Sequence, residues 1–340
     1  LAAAFRRRGP HRRDGRVAHP TPARQVISKP IRGNLTMSSI EAHHLVEPAP
    51  RIALDSAGTG ELVVFLHGIG GNRRNWHGNL QAFAEHFRAV AWDARGYGDS
   101  DDYEGPLRFR DFADDLARVL DHFQEDRAHV IGLSMGGRIA MDFAHAYPDR
   151  LHTLTLCATN TGFARFSPEA RAEFIRSRKE PLLSGKEPMD IAEPVAKSLI
   201  GPDSGEAALR QLVDSMSRLH KYSYIKSIEA LVNLDRRTGL DHIRVPTHVM
   251  CGSDDPLTPV SMSEEIVRLI PQAELTVVKG AGHLLNIEKP QEFNRAAISF
   301  LLRHGRPRRF DAASDDQHRH DPREQTNETR SDTIRRSDGH

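Results

Sequence analysis

The sequence of 340 residues has little cysteine and no long apolar segment. Its two cysteines, Cys157 and Cys251, are too few for a disulfide framework, so we expect a reducing compartment, the cytoplasm. No apolar run reaches the roughly 18 residues that a transmembrane helix needs, so no membrane association is expected. No clustered histidine and cysteine spacing suggests a zinc site, and we expect neither a metal nor an organic cofactor.

A basic surface for nucleic acid is also missing. The net charge is +1, but residues 37–302 carry 29 basic and 37 acidic residues, whereas residues 1–36 carry nine basic residues and one acid. An acidic central region lacks the positive patch that binds phosphates. A small-molecule substrate is therefore the expected partner, and nucleic acid is not.

The two ends of the chain differ from its middle in composition. Residues 1–40 are rich in Arg and Pro without a hydrophobic period, and residues 305–340 contain almost no large apolar residues. Both segments are predicted to be disordered. Translation starting at Met37 is the favoured explanation for residues 1–36, and an organellar transit peptide is the alternative.

Short apolar runs alternate with segments of helical period between these ends. The runs are apolar on both faces, as covered parallel strands are, and comprise Leu62–Leu66, Ala89–Trp92, Val130–Leu133, Leu154–Cys157, Thr247–Cys251 and Leu275–Val278. This alternation predicts an α/β fold with a doubly wound, mostly parallel sheet, and residues 45–55 allow one or two antiparallel edge strands. Residues 161–240 have a helical period and no strand run, which predicts a helical cap between core segments 41–160 and 241–304.

The main chemical signal is a G-x-S-x-G pattern at residues 132–136. Alone it is weak, since it occurs by chance in roughly one chain in ten. Here it follows an apolar run and precedes a helical stripe, which is the strand–turn–helix setting of a nucleophile elbow. Ser134 is therefore the predicted nucleophile, with Gly132 and Gly136 permitting the tight turn.

A serine nucleophile needs a base, and that base needs an orienting acid. His283 lies in a glycine-rich loop directly after the last apolar run, and Asp255 follows the run that ends at Cys251. We prefer Asp255 to the adjacent Asp254, which would then cap the turn. The order serine, acid, histidine is the one that this type of elbow uses.

A fourth element is the segment His67-Gly68-Ile69-Gly70-Gly71, which follows the run Leu62–Leu66. A tetrahedral intermediate needs two fixed hydrogen-bond donors for its oxyanion, each worth roughly 3 kcal/mol of the barrier. The backbone N–H groups of Ile69 and Met135 are the predicted donors. All four elements lie at the C-terminal ends of predicted strands, where open α/β sheets bind ligands.

The segments HGIGG, WDARGYGDS, GLSMGG, GSDDPLTP and GAGH resemble those of α/β-hydrolase-fold enzymes over about residues 45–303. Within that family, GLSMGG, GSDDPLTP and GAGH resemble 3-oxoadipate enol-lactonases and related carboxylesterases. The resemblance implies a Ser134–His283–Asp255 triad that cleaves an ester or lactone through an acyl-enzyme. The alternatives are hydrolysis of carbon–carbon bonds in aromatic ring-cleavage products, a lyase-type elimination with the same triad, and a small-molecule receptor with little turnover.

Two residues are candidates for substrate contact. Arg138 lies one helical turn after Ser134, where it would either recognise an acidic substrate or, as we favour, pair with Asp142 at i+4. Trp76 would either line the pocket or, as we favour, belong to the core, since it begins an apolar stripe.

Overall fold

A computed structural model describes residues 42–164, 166–202, 204–234 and 238–305. The disorder predicted for residues 1–40 and 305–340 concerns residues outside these ranges, with the exception of Gly305.

The core is an eight-stranded sheet. Its strands are β1 (Ala42–Val46), β2 (Ile52–Ala57), β3 (Leu62–Leu66), β4 (Arg88–Trp92), β5 (Ala128–Leu133), β6 (Leu151–Cys157), β7 (Thr247–Gly252) and β8 (Glu274–Val278). Their order in the sheet is β1-β2-β4-β3-β5-β6-β7-β8. β2 pairs antiparallel with β1 and β4, and every other pair is parallel. This arrangement confirms the doubly wound, mostly parallel sheet and the antiparallel strands allowed near residues 45–55.

The central strands are buried on both faces, as their continuous apolar sequences require. Every residue of β3, β5 and β7 is buried. The last strand, β8, is an exception, because Leu275 and Val277 are 36% and 42% exposed. The prediction that helices cover both faces of this strand was wrong, since β8 is an edge strand at the margin of the helical layers.

Six helices belong to the core: α1 (His77–Ala84), α2 (Arg110–His122), α3 (Met135–Ala146), α8 (Val260–Leu269), α9 (Leu285–Glu288) and α10 (Pro290–His304). The apolar faces of α2 and α10 are buried, and Phe112, Leu116, Phe293 and Phe300 are at most 1% exposed. α1 is preceded by a 3-10 turn, Arg73–Trp76, which contains the residue that begins its apolar stripe.

Four helices lie between β6 and β7: α4 (Pro168–Leu183), α5 (Pro188–Lys197), α6 (Glu206–Ser217) and α7 (Lys221–Asn233). α5 packs on α6, and α4 packs on α7. The described part of this segment contains no strand, and we refer to α4–α7 with their connections as the cap. None of the described helices is both long and apolar enough to cross a bilayer.

A buried histidine in β7 couples the stability of the sheet to pH. The His248 ring stacks on Phe300 with centroids 4.8 Å apart, and its Nε2 lies 2.8 Å from the Thr276 hydroxyl. Burial, with a smaller contribution from Arg303, lowers the pKa of His248 from 6.5 to about 4. His248 takes up a proton near pH ~6.5 in the unfolded chain but only near pH 4 in the folded chain. The free energy of unfolding therefore has its full value above pH ~6.5 and decreases as the pH falls toward 4.

The variant His248→Gln keeps a donor near Thr276 but removes the titrating group. Between pH 6.5 and 4, the free energy of unfolding of the wild type should fall by about 1–3 kcal/mol more than that of the variant. Urea denaturation at several pH values measures both slopes. Equal slopes would show that His248 does not carry this pH dependence.

Candidate active site

Ser134 lies in a tight turn between β5 and α3. Its φ of 54° and ψ of −113° place it in a region that non-glycine residues rarely adopt, at a cost of about 1–3 kcal/mol. Its backbone N–H donates to the Cys157 carbonyl at 2.8 Å, and its carbonyl accepts from the Thr159 hydroxyl at 2.8 Å. These bonds to the end of β6 hold the strained turn in place.

The neighbouring glycines permit this turn because their Cα atoms pass close to other backbone. A Cβ on Gly132 would lie 2.2 Å from the carbonyl oxygen of Gly136, and a Cβ on Gly136 would lie 2.2 Å from that of Leu66. A larger residue at Gly132 would therefore open the turn itself, and one at Gly136 would push the turn away from β3. The sequence pattern of the elbow is a direct consequence of this crowding.

The loop after β3 lies against the elbow. A Cβ on Gly68 would lie only 3.2 Å from the Cβ of Ser134. The Gly71 N–H donates to the Gly68 carbonyl at 3.0 Å and closes a turn around Ile69. In the described part of the chain, neither Ile69 nor Met135 uses its backbone N–H in a hydrogen bond. Two donors near Ser134 are thus available to a ligand.

His67 fixes this loop to the end of β4. Its Nε2 accepts the backbone N–H of Ala94 at 3.0 Å, and its Nδ1 donates to the Gly68 carbonyl at 2.8 Å. Burial lowers the pKa of His67, which favours the neutral ring that these two bonds require.

A buried charge network braces the same loop from its other end. The Arg73 backbone N–H donates to Asp93 at 2.7 Å, and its guanidinium lies 2.9 Å from Asp55 and 2.5 Å from Asp99. Burial alone would raise the pKa of Asp55, but His77 and Arg73 outweigh it and hold that pKa well below its usual value. The charges are therefore compensated, and breaking the network would leave carboxylates buried without a partner.

The structure brings His283 and Asp255 together. His283 Nδ1 lies 2.8 Å from Asp255 Oδ2, and both residues are buried. Burial alone would raise the pKa of Asp255, but the charge and hydrogen bond of His283 and the donors of Thr258 lower it overall. The carboxylate stays ionised at neutral pH and can orient an imidazole and stabilise its protonated form. The adjacent Asp254 is exposed and is hydrogen-bonded to Ser253.

Thr258 is a contributor that the sequence analysis does not single out. Its hydroxyl donates to Asp255 Oδ2 at 2.6 Å, and its backbone N–H donates to Asp255 Oδ1 at 2.9 Å. The Leu257 N–H donates to the same oxygen at 2.8 Å. Aspartate side chains often accept the backbone N–H two residues later in a turn, as Asp255 does from Leu257, and this turn places Thr258 beside the carboxylate.

Ser134 and His283 line the same cavity beneath the cap. Among the described residues, no hydrogen bond within 3.5 Å joins the Ser134 hydroxyl to the ring. Such bonds are often long in free enzymes and shorten when substrate binds. Because Nδ1 of His283 is bound to Asp255, Nε2 is the nitrogen available to a substrate or to the serine.

The cavity has two compartments that meet at Ser134. The first, called the His283 compartment, is mainly apolar and is lined by Trp76, Leu212, Met216, His283 and Ile287, among others. The second, called the Phe163 compartment, is lined by Met135, Arg138, Thr159, Phe163, Phe166 and Leu231, among others. Both compartments share the residues Ile69, Ser134, Phe174, Arg178 and Leu257.

Trp76 and Arg138 both border this cavity but are held in different ways. Trp76 is 1% exposed and packs on Phe65 with ring centroids 4.9 Å apart, so it belongs to the core and also lines the His283 compartment. Arg138 donates to Asn160 at 3.1 Å and to the Leu231 carbonyl of the cap at 3.3 Å. The guanidinium therefore joins core and cap, and the predicted pairing with Asp142 stays a prediction.

Arg178 on α4 is a second residue that the sequence analysis does not single out. Its guanidinium stacks on the Phe174 ring at 3.8 Å from the centroid, and Nη1 donates to the Phe174 carbonyl at 3.2 Å. No carboxylate of the described residues lies within 4.0 Å of it. Burial lowers the pKa of Arg178, and nearby Tyr224 offsets this only in part. An under-compensated cation thus borders both compartments.

Replacement of Thr258 tests whether its hydroxyl supports the acid. Thr258→Val should slow the labelling of Ser134 by a fluorophosphonate about threefold to tenfold, because one hydrogen bond to the carboxylate is lost. Thr258→Ser retains the hydroxyl and should react at nearly the wild-type rate. If the valine and serine variants react equally fast, the hydroxyl has no part in activation.

Comparisons with known proteins identify the fold family. Residues 61–290 match the family model described as the alpha/beta hydrolase fold. A 3-oxoadipate enol-lactonase 2 of Acinetobacter baylyi is 28% identical over 264 residues, which cover 75% of this chain and 95% of the relative. A 2-hydroxy-6-oxononadienedioate/2-hydroxy-6-oxononatrienedioate hydrolase of Burkholderia vietnamiensis is 31% identical over 265 residues, covering 74% and 91%.

A solved structure extends the comparison to three dimensions. The malate-bound structure of a thermophilic esterase from Thermogutta terrifontis aligns with a TM-score of 0.71 and 27% identity, over 78% of this chain and 100% of that one. Together with the family match over residues 61–290, these likenesses establish that the chain belongs to the α/β-hydrolase fold family and is a hydrolase.

Proposed function

We propose that this hydrolase is a serine esterase or lactonase that cleaves a small-molecule substrate through an acyl-enzyme on Ser134. The observation that carries the proposal is the shared cavity. Ser134, in its strained turn, borders the same space as His283, whose ring is bound to the ionised Asp255. A hydroxyl, an imidazole and a carboxylate in this order are the groups that nucleophilic acyl transfer needs.

The proposed reaction has two steps. Ser134 Oγ attacks the substrate carbonyl carbon while His283 Nε2 takes its proton, and the resulting oxyanion accepts the N–H groups of Ile69 and Met135. When the intermediate collapses, the bond to the leaving group breaks and His283 returns the proton to the leaving oxygen. Water then attacks the acyl-enzyme with His283 again as base, which releases the acid and restores Ser134.

The names of the relatives support this class of reaction without fixing the substrate. One relative is named an enol-lactonase and one solved neighbour an esterase. The Burkholderia relative, named for an oxononadienedioate, favours hydrolysis of carbon–carbon bonds with the same triad as a second candidate. Comparing rates on p-nitrophenyl esters, lactones and ring-cleavage diketones separates the two candidates.

Labelling of the serine tests the proposed nucleophile. The wild type should react covalently with a fluorophosphonate at Ser134 and should hydrolyse short p-nitrophenyl esters or lactones. In Ser134→Ala, labelling should be lost and hydrolysis should fall by at least about a thousandfold. Without the nucleophile, only substrate binding and the oxyanion donors can still stabilise the transition state. Tryptic mass spectrometry locates the adduct.

The matched control is Ser184→Ala, which removes an exposed serine at the end of α4. It should leave labelling of Ser134 intact. A wild-type protein that is folded but neither labelled nor active on the panel would contradict the proposal. A single turnover that leaves a lasting adduct would instead indicate a receptor.

We also propose that the substrate carries a carboxylate, which Arg178 binds. An arginine side chain is always charged, and among the described residues no carboxylate compensates the charge of the half-buried Arg178. A substrate carboxylate in the cavity would supply the missing partner through charge-assisted hydrogen bonds. Oxoadipate, an oxononadienedioate and malate, which occur in the names of the relatives and the solved neighbour, are all carboxylates.

Two esters with acyl chains of equal length test this preference. For mono-p-nitrophenyl glutarate, Arg178→Gln should lower kcat/KM about tenfold to a hundredfold, as expected when a charged hydrogen bond is lost. For neutral p-nitrophenyl valerate, kcat/KM should hardly change.

The control is Arg176→Gln, which changes an exposed arginine on the same helix. It should affect neither ester. An equal loss on both esters in Arg178→Gln would point to a structural role for this arginine and would exclude it from carboxylate recognition.

A further inference from the structure

The carboxylate of Glu288, at the end of α9, accepts hydrogen bonds from two separate segments. Oε1 accepts the backbone N–H of Leu284 at 2.8 Å, and Oε2 accepts that of Gly282 at 2.8 Å. Oε2 also accepts the backbone N–H of Gly201 at 3.0 Å and the hydroxyl of Ser204. The donors of Gly282 and Leu284 flank His283 in the core. Those of Gly201 and Ser204 belong to the α5–α6 connection of the cap.

The same two segments also meet directly. The backbone N–H of His283 itself donates to the carbonyl of Leu199 in the cap at 3.0 Å. A Cβ on Gly282 would lie 2.2 Å from the Gly201 nitrogen, so the two backbones touch at a pair of glycines. The loop that carries the histidine is therefore docked on the cap and does not depend on the sheet alone.

From these contacts we infer that Glu288 is a positioning residue that locks the His283 loop to the cap. The inference rests on the proposed function, in which His283 is the base. The catalytic alignment of the ring then depends on the cap being seated, because one carboxylate joins both partners. Glu288 neither lines the cavity nor contacts Ser134, so it acts only through the loop.

The carboxylate suits this task because it offers acceptors alone. All four groups around it are donors, and an ionised glutamate can satisfy them together. A glutamine of the same shape would place an NH2 group against one set of N–H donors and would lose those bonds. Because the glutamine keeps one oxygen but no charge, Glu288→Gln loses the bonds of one oxygen and weakens those of the other, with little change in volume.

Kinetics per active site test the inference. In full-length Glu288→Gln, kcat for a p-nitrophenyl ester, divided by the sites titrated with a fluorophosphonate, should fall about tenfold to a hundredfold, because a small misplacement of the base is costly. KM should change little. A merely destabilised protein would lose titratable sites and keep kcat per site.

Hydrogen exchange gives a readout that does not depend on activity. Backbone amides of residues 199–202 and 280–284 should exchange faster in Glu288→Gln, and both segments should change together. Glu292→Gln, an exposed glutamate at the start of α10, is the matched control and should change neither exchange nor kcat.

A second variant covers the case in which Glu288→Gln does not fold. Gly201→Ala leaves Glu288 in place but puts a Cβ 2.9 Å from the Gly282 nitrogen, which pushes the two segments apart. It should reproduce the loss in kcat per site. If the wild type is active and both variants match Glu292→Gln, the inference is overturned, whereas an inactive and unlabelled wild type overturns the proposed function itself.

Discussion

The tight turn at Ser134 is the constraint on which the arrangement of the site depends. It forces the backbone into a strained conformation, and that strain persists only because β3, β5 and β6 hold the turn on several sides. Since the glycines of the turn touch the end of β3, the following loop must lie beside the serine. The positions of the candidate nucleophile and of the two free N–H groups are thus consequences of one packing requirement.

Around this rigid centre, buried polar groups fix the loops that regular structure cannot hold. His67 and Arg73 secure the loop after β3, and Thr258 secures the carboxylate of Asp255. Glu288 does the same for the histidine loop and extends the connection to the cap. In each case a buried or half-buried charge or ring nitrogen is matched by backbone donors or acceptors, so the loops are held without an apolar core of their own.

The sequence predicts the sheet well and points to the candidate site residues because both signals are local. Parallel strands buried on both faces leave continuous apolar runs, and β3 begins and ends at the predicted residues. Glycine-rich loops directly after such runs point to Ser134, Ile69 and His283. The exposure of β8 cannot be predicted in the same way, because an apolar run such as Leu275–Val278 does not reveal that its strand lies at the edge of the sheet.

The remaining features depend on tertiary contacts that no local pattern records. Arg178 lies on a helix with several other arginines, and only the fold shows which of them borders the cavity. Glu288 follows His283 by five residues, yet its link to Gly201 joins segments 87 residues apart. Arg138 likewise reaches cap carbonyls that lie more than 90 residues further along the chain.

The two compartments that meet at Ser134 also bear on what the acyl-enzyme would do after the first product leaves. An acyl group held in one compartment leaves the other open, and any small alcohol that fits there can compete with water for the bound acyl carbon. Transfer to such an acceptor and hydrolysis would then share one intermediate. The ratio of ester synthesis to hydrolysis would then depend on how strongly the open compartment binds the alcohol compared with water.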